Sequence, residues 1–393
     1  MALHALILFT ALTPWAFQFV SSDIAVYFRD ASLIMNGAIP YRDYLVEYPP
    51  MALPLFVIPR LFTNMFAEYV VLFGAQMLLF DATATYLVVR RLVALNETSA
   101  IPWRLAWYSA FVAALYPFSG TRYDWAPMAV AFAAALMWFS GRSALGGAVA
   151  AIGALIKIFP GFIAGPAFIW EAVEMYASRL RGTVSFAVTL ALGITVWALL
   201  GMGRALQYHL SRGLEIETIW AGVLMAIAKV TGAPLGTEWH SGSLDLLAHG
   251  AREISAVIFP IQGVVELTVL WRFWRSGLQD PLRYVGASIL AIAITGKILS
   301  PQYLIWVIPF VTVLNGRAGT WGRWIFLFAC IATTAIYPWN SGRLVAFDAW
   351  TIGLLNSRNA SLVALLALCL LDPGISQKDG RGSRPARQAP ENK

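Results

Sequence analysis

The stretch Thr183-Val184-Ser185-Phe186-Ala187-Val188-Thr189-Leu190-Ala191-Leu192-Gly193-Ile194-Thr195-Val196-Trp197-Ala198-Leu199-Leu200-Gly201 runs for nineteen residues without one charged side chain. As a helix it would be roughly 28 Å long, close to the thickness of a bilayer's hydrocarbon core. Similar apolar runs, bounded by charges, proline or glycine, occur at about residues 3–20, 69–89, 103–118, 125–140, 144–158, 159–174, 253–271, 284–299, 301–316, 321–338 and 351–371. They predict an all-α polytopic membrane protein with about twelve transmembrane helices. The composition agrees: of 393 residues, 59% are hydrophobic and 12% charged, and the mean hydropathy is +0.66. Soluble domains carry about twice that share of charge, so an ordinary soluble enzyme is excluded. The net charge of +7 fits the orientation of membrane loops, and no basic cluster suggests a nucleic-acid partner. Cys330 and Cys369 both fall inside apolar runs, which argues against a disulfide framework and against a zinc site.

Residues 1–20 lack a basic leader and a small-residue cleavage site, so they read as a retained first span. Basic residues then orient the chain. With both termini cytoplasmic, Arg90, Arg91, Arg104, Arg142, Arg179, Arg181, Arg272, Arg275, Arg283, Arg317, Arg323 and the basic tail all lie inside. Residues 1–371 form one membrane domain and 372–393 a basic, disordered tail. The stretch 144–174, interrupted at Phe159-Pro160-Gly161, reads either as two spans or as a pair of half-helices. Two outer segments are long enough to carry chemistry, 21–68 and 202–252. Asp81, buried in an apolar run about 13 Å along the helix from Arg90, calls for a structural partner.

In the first outer segment, Ser21-Ser22-Asp23 has capping character and helical spacing follows through Met35, predicting an interfacial helix. Asp23 stands where the first span leaves the bilayer, a suitable place for a general base. Asp30 lies about 10 Å further along and ranks second. Either carboxylate would serve equally as a solvated cap or as a partner of Arg29 or Arg42. Further on, Tyr41-Arg42-Asp43-Tyr44-Leu45-Val46-Glu47-Tyr48 precedes Pro49-Pro50, whose rings hold the segment extended. Aromatic faces and carboxylates such as Tyr41, Glu47 and Tyr48 suit a sugar, although an interfacial aromatic belt uses the same residue types. In the second outer segment His240, beside Trp239, is a candidate for a hydroxyl or a phosphate.

The run Asp23 to Pro59 resembles the start of glycosyltransferase family 87, membrane enzymes of the GT-C fold that use polyprenyl-phosphate-linked sugars. Three later stretches resemble that family's motifs: Tyr123-Asp124-Trp125-Ala126-Pro127, Lys157-Ile158-Phe159-Pro160, and Lys297-Ile298-Leu299-Ser300-Pro301-Gln302-Tyr303. The resemblance covers residues 20 to 310. It implies transfer, with inversion, of a sugar from a polyprenyl-phosphate donor to a hydroxyl of a lipid or glycan acceptor on the outer face of the plasma membrane. Asp23 matches the family's outer carboxylate and takes the base role. Lys157, Lys297 and Arg29 are the candidates for the departing phosphate. Asp30, Tyr41, Glu47, Tyr48, Asp124, His240, Gln302 and Tyr303 are those for sugar or acceptor. Family members include mannosyltransferases and an arabinofuranosyltransferase, which makes mannose the first expectation and arabinofuranose the second. The outer segments hold no Asp-x-Asp pair, so no metal and no cofactor are expected. A transporter or lipid flippase is the competing reading, since broken helices with charges also mark substrate paths.

Overall fold

The computed structural model describes residues 1–11, 22–174 and 180–372. Its helices in chain order begin with α1 (Ala2–Ala11), α2 (Ser22–Met35), α3 (Leu53–Arg60), α4 (Phe66–Ala94), α5 (Ile101–Ala114), α6 (Trp125–Phe139) and α7 (Ser143–Ile156). They continue with α8 (Ala164–Glu174), α9 (Arg181–Leu200), α10 (Met202–Ser211), α11 (Ile219–Thr231), α12 (Ala251–Arg275) and α13 (Pro281–Thr295). The last are α14 (Ile308–Val313), α15 (Gly316–Ile336), α16 (Ser341–Val345) and α17 (Ala349–Leu371). Five of these, α4, α9, α12, α15 and α17, are long and apolar enough to cross a membrane. The other apolar runs expected to be spans are shorter helices: α6, α7 and α13 hold 15, 14 and 15 residues. The second half of the first expected span and the tail from 373 lie outside the described residues.

Position in the bundle explains why apolar runs differ in length. On α6 and α13 most residues are buried by protein and none is exposed, with Phe132 packed edge-on against Phe310 at 5.2 Å. On α9 the apolar residues Val188, Leu192 and Leu199 are exposed, as contact with lipid requires. α7 packs between α6 and α9, while α12 lies on α13 and α15 on α17. The α7 to α9 approach depends on Gly147, where a β-carbon would collide with the Gly182 carbonyl.

Prolines set the two interruptions that matter for function. Pro160 has no N–H for the Ile156 carbonyl and its ring would clash there, so α7 stops at Ile156 and Lys157 turns extended. A 3₁₀ turn, Phe159–Ile163, then leads into α8. The 144–174 stretch is thus a pair of short helices broken at Lys157. The second interruption follows α13, where Gly296 is extended and Pro301 opens a 3₁₀ segment through Val307.

Residues 202–252 depart from the all-α expectation. Besides α10 and α11 they hold an antiparallel hairpin, β1 (Gly236–His240) and β2 (Ser243–Leu247), in register from Gly236 opposite Leu247 to His240 opposite Ser243. Its two-residue turn has positive φ at both positions, 47° at Ser241 and 74° at Gly242, the geometry that matches strand twist. Asp81 has the structural partners its burial demands: Tyr108 donates to it at 2.9 Å and His4 Nδ1 lies 2.5 Å from its other oxygen. This cluster ties α1, α4 and α5 together.

Candidate functional site

A cleft of about 360 Å³ opens where α2, the segment before Pro49, the two proline breaks, α10 and the hairpin tip converge. Asp23 occupies the first turn of α2, and its Oδ2 is 2.8 Å from Nη1 of Arg122, whose side chain is buried. Across the cleft, Glu47 Oε2 accepts from Arg212 Nη2 at 3.0 Å. Arg212 also donates from Nε to the Ser241 carbonyl at 2.7 Å, which pins the hairpin tip over the site. Gly242 has a φ of 74°, which favours glycine, and a β-carbon there would press on the side-chain ends of Tyr208, Arg212 and Glu47. His209 Nε2 lies 2.6 Å from the Glu47 carbonyl. A carbonyl can only accept, so Nε2 carries the proton. Burial and the neighbouring Arg212 lower the His209 pKa, keeping the ring neutral.

The two breaks present their lysines differently. Lys157 Nζ donates to buried Asp124 at 2.7 Å and lies 4.7, 5.2 and 5.3 Å from the rings of Tyr123, Tyr303 and Trp306. Trp306 donates to the same Asp124 oxygen at 2.5 Å and stacks between Phe159 and Tyr303. Lys157 is therefore held in an aromatic enclosure by a buried counter-ion. Lys297 has no ion pair among the described residues; its ammonium lies 5.3 Å above the Phe259 ring. Its backbone is fixed instead. Glu215 accepts from the Leu299 amide at 2.6 Å and from Ser300 Oγ at 3.3 Å, and its own amide donates to the Lys297 carbonyl at 2.9 Å. Burial raises the Glu215 carboxyl pKa, with Glu217 as a close neighbour.

Of the residues singled out in the sequence, Asp23, Glu47, Tyr48, Lys157, Lys297, Gln302 and Tyr303 line this one cleft. Five others do not. Arg29 and Asp30 pair with each other at 2.7 Å about two turns further along α2 from Asp23, and burial pushes the Asp30 carboxyl up to about 6. Tyr41 is buried and donates to the Tyr48 carbonyl at 2.6 Å, so it braces the platform from beneath. Asp124 lies behind Lys157. His240 is exposed on β1 and faces a neighbouring cleft that shares Arg212 and Lys297. Lining residues that local sequence did not single out include His209, Arg212, Gln262 and Trp306, together with Arg122 behind Asp23. A spacing of three between His209 and Arg212 near the end of α10 was the available signal. Among the described residues, no three His, Cys, Asp or Glu side chains gather where a metal ion could bind.

The arrangement provides carboxylates and cations around one aromatic cavity, and its remaining wall, with Phe162, Phe259 and Ile292, is apolar. Such a site can bind a sugar and an anion together and accept a proton. No protein of curated function matches the chain. The sequence profile of glycosyltransferase family 87 matches residues 44–301, about two-thirds of the chain. Glu47, Lys157, Arg212 and Lys297 fall within that match, whereas Asp23 precedes it. The chain belongs to glycosyltransferase family 87 and is a membrane glycosyltransferase.

Proposed function

We propose that the protein transfers a sugar from a polyprenyl-phosphate donor to a hydroxyl of a lipid or glycan acceptor, with Asp23 as general base. The observation that carries this reading is the cleft itself: Asp23 shares one cavity with Lys297 and Arg212, and an apolar wall runs from it past Phe259 and Ile292. Asp23 takes the acceptor proton as the acceptor oxygen bonds to the anomeric carbon from the face opposite the phosphate. The bond to the phosphate oxygen breaks, and its electron pair leaves with the phosphate. The anomeric configuration inverts. A phosphate is a weak base and needs no proton from a second carboxyl group, unlike the alkoxide that glycosidases expel. Lys297 meets the departing charge, and Arg212, held by Glu47, adds to the positive field. Arg122 orients the Asp23 carboxylate. Tyr48, Tyr303 and Gln302 face the sugar, mannose before arabinofuranose, and the prenyl chain lies along the apolar wall. The cleft opens on the outer face of the plasma membrane, with both termini cytoplasmic.

Family membership makes glycosyl transfer the reading to test in place of transport or lipid flipping. Purified protein is incubated with a synthetic short-chain polyprenyl-phosphate mannose and glycolipid acceptors, and products are followed by mass spectrometry. Asp23→Asn is expected to lower turnover by roughly 10² to 10⁴, about 3 to 5 kcal/mol of barrier, without loss of fold. A folded Asp23→Asn protein that turns over within about tenfold of the parent would exclude Asp23 as the base.

A further inference from the structure

A second cleft, of about 640 Å³, lies at the opposite ends of the helices that frame the Asp23 site. α6 starts at the Asp23 cleft and ends here; α13 starts here and ends at Gly296. Arg90 and Arg91, near the end of α4, and Arg142, just before α7, all line it. No Asp or Glu is among its lining residues, and its walls include Leu87, Leu136 and Leu282. Several arginines elsewhere in the bundle donate to protein carbonyls. Arg104 donates to the Thr312 and Leu314 carbonyls, Arg283 to the Asp372 carbonyl and Arg323 to the Leu314 carbonyl. The three at the cleft make no ion pair among the described residues, and Arg91 Nε is buried without a hydrogen-bond partner. Asp280 and Glu97 act on Arg91 only at a distance. Arg90 donates only to Tyr86, at 3.0 Å. Three guanidinium groups around one cavity that no carboxylate lines, with apolar walls below, match a phosphate carried on acyl chains.

We infer that this cleft binds the phosphate headgroup of an anionic membrane phospholipid, on the membrane face opposite the Asp23 site. The acyl chains lie against the leucine wall and the phosphate oxygens take the arginine donors. The site is independent of the transfer reaction.

The test uses the full chain, delipidated in neutral micelles and titrated with phosphatidylglycerol or phosphatidylcholine, with bound lipids counted by native mass spectrometry. The parent protein is expected to retain phosphatidylglycerol selectively. Arg91→Gln with Arg142→Gln should weaken that binding roughly thirtyfold, and exposed Arg142→Gln alone, which disturbs no packing, roughly fivefold. Arg275→Gln, an exposed arginine at the end of α12, should leave it unchanged. The inference fails if the parent shows no preference, if both folded cleft variants bind as the parent does, or if Arg275→Gln weakens binding equally. Competition by soluble glycerol phosphate would also overturn it, because the ligand would then be a free phosphate and not a lipid.

Discussion

The Asp124–Lys157 pair holds the first break, and a double-mutant cycle measures how strongly. Asp124 is 1% exposed; its Oδ1 serves both Lys157 and Trp306, while its Oδ2 is buried without a hydrogen-bond partner. The Lys157 side chain is 17% exposed and otherwise meets only ring faces. Removing one member of a buried pair strands the other charge, at about 3 to 5 kcal/mol. Residual solvent and the three rings, each contributing roughly 0.5 to 1 kcal/mol, place Asp124→Asn near the lower end, at about 3 kcal/mol. Lys157→Met leaves a carboxylate served by a single indole and should cost about as much. The double variant carries neither charge and is expected within about 1 kcal/mol of the parent, because apolar replacement of a buried pair is often neutral. A coupling energy above roughly 2 kcal/mol follows. Denaturant unfolding in micelles, followed by tryptophan fluorescence, reads it, with Trp306 inside the perturbed site. Additive single effects, with coupling under about 0.5 kcal/mol, would mean that the pair is effectively solvated and that Pro160 alone shapes the break.

Lys297→Met is expected to lower kcat/KM for the donor by roughly ten- to hundredfold while the unfolding midpoint stays put; a loss confined to acceptor titrations would contradict its phosphate role. Glu215→Ala removes the acceptor for the Leu299 amide and Ser300, at about 1 to 3 kcal/mol, and should raise the donor KM with faster hydrogen exchange at Leu299. Unchanged exchange there would show that the Lys297 tip is held by other contacts. For His209, burial and Arg212 lower the pKa from 6.5, so as pH falls the unfolded chain takes up a proton before the folded one does. Its stabilising contribution is complete above pH 6.5 and declines below it. His209→Gln should flatten the pH dependence of the unfolding midpoint below pH 6.5, and an unaltered slope would assign that dependence elsewhere.

Local chemistry made part of the site readable in the sequence. Pro160 must end the preceding helix at Ile156, so Lys157 was bound to stand at a helix tip, and Lys297 before Pro301 repeats the logic. Asp23, at a capping position just past an apolar run, was equally visible. Which of two carboxylates on one face of α2 meets the cleft was not: Asp23 and Asp30 stand about two turns apart, and only the fold shows the cleft at Asp23 and Asp30 held by Arg29. Pairing across 165 residues, as between Glu47 and Arg212, leaves no local trace, which is why Arg212 and His209 went unseen. The hairpin had a signal in Ser241-Gly242 between alternating residues, weak beside the surrounding apolar runs. Twelve expected spans exceed the five long helices because composition distinguishes apolar from polar, and not lipid-facing from protein-enclosed.

The shortness of α6 and α13 has a geometric corollary. Fifteen residues rise only roughly 22 Å, against about 30 Å of hydrocarbon in a typical bilayer. With the cleft opening to the leaflet as proposed, its floor would lie below the headgroup plane. A substrate already anchored in the leaflet reaches that depth by sideways drift, its tail never leaving oil. A free sugar would have to descend without such an anchor, so a recessed floor would favour the lipid-borne reactants proposed above.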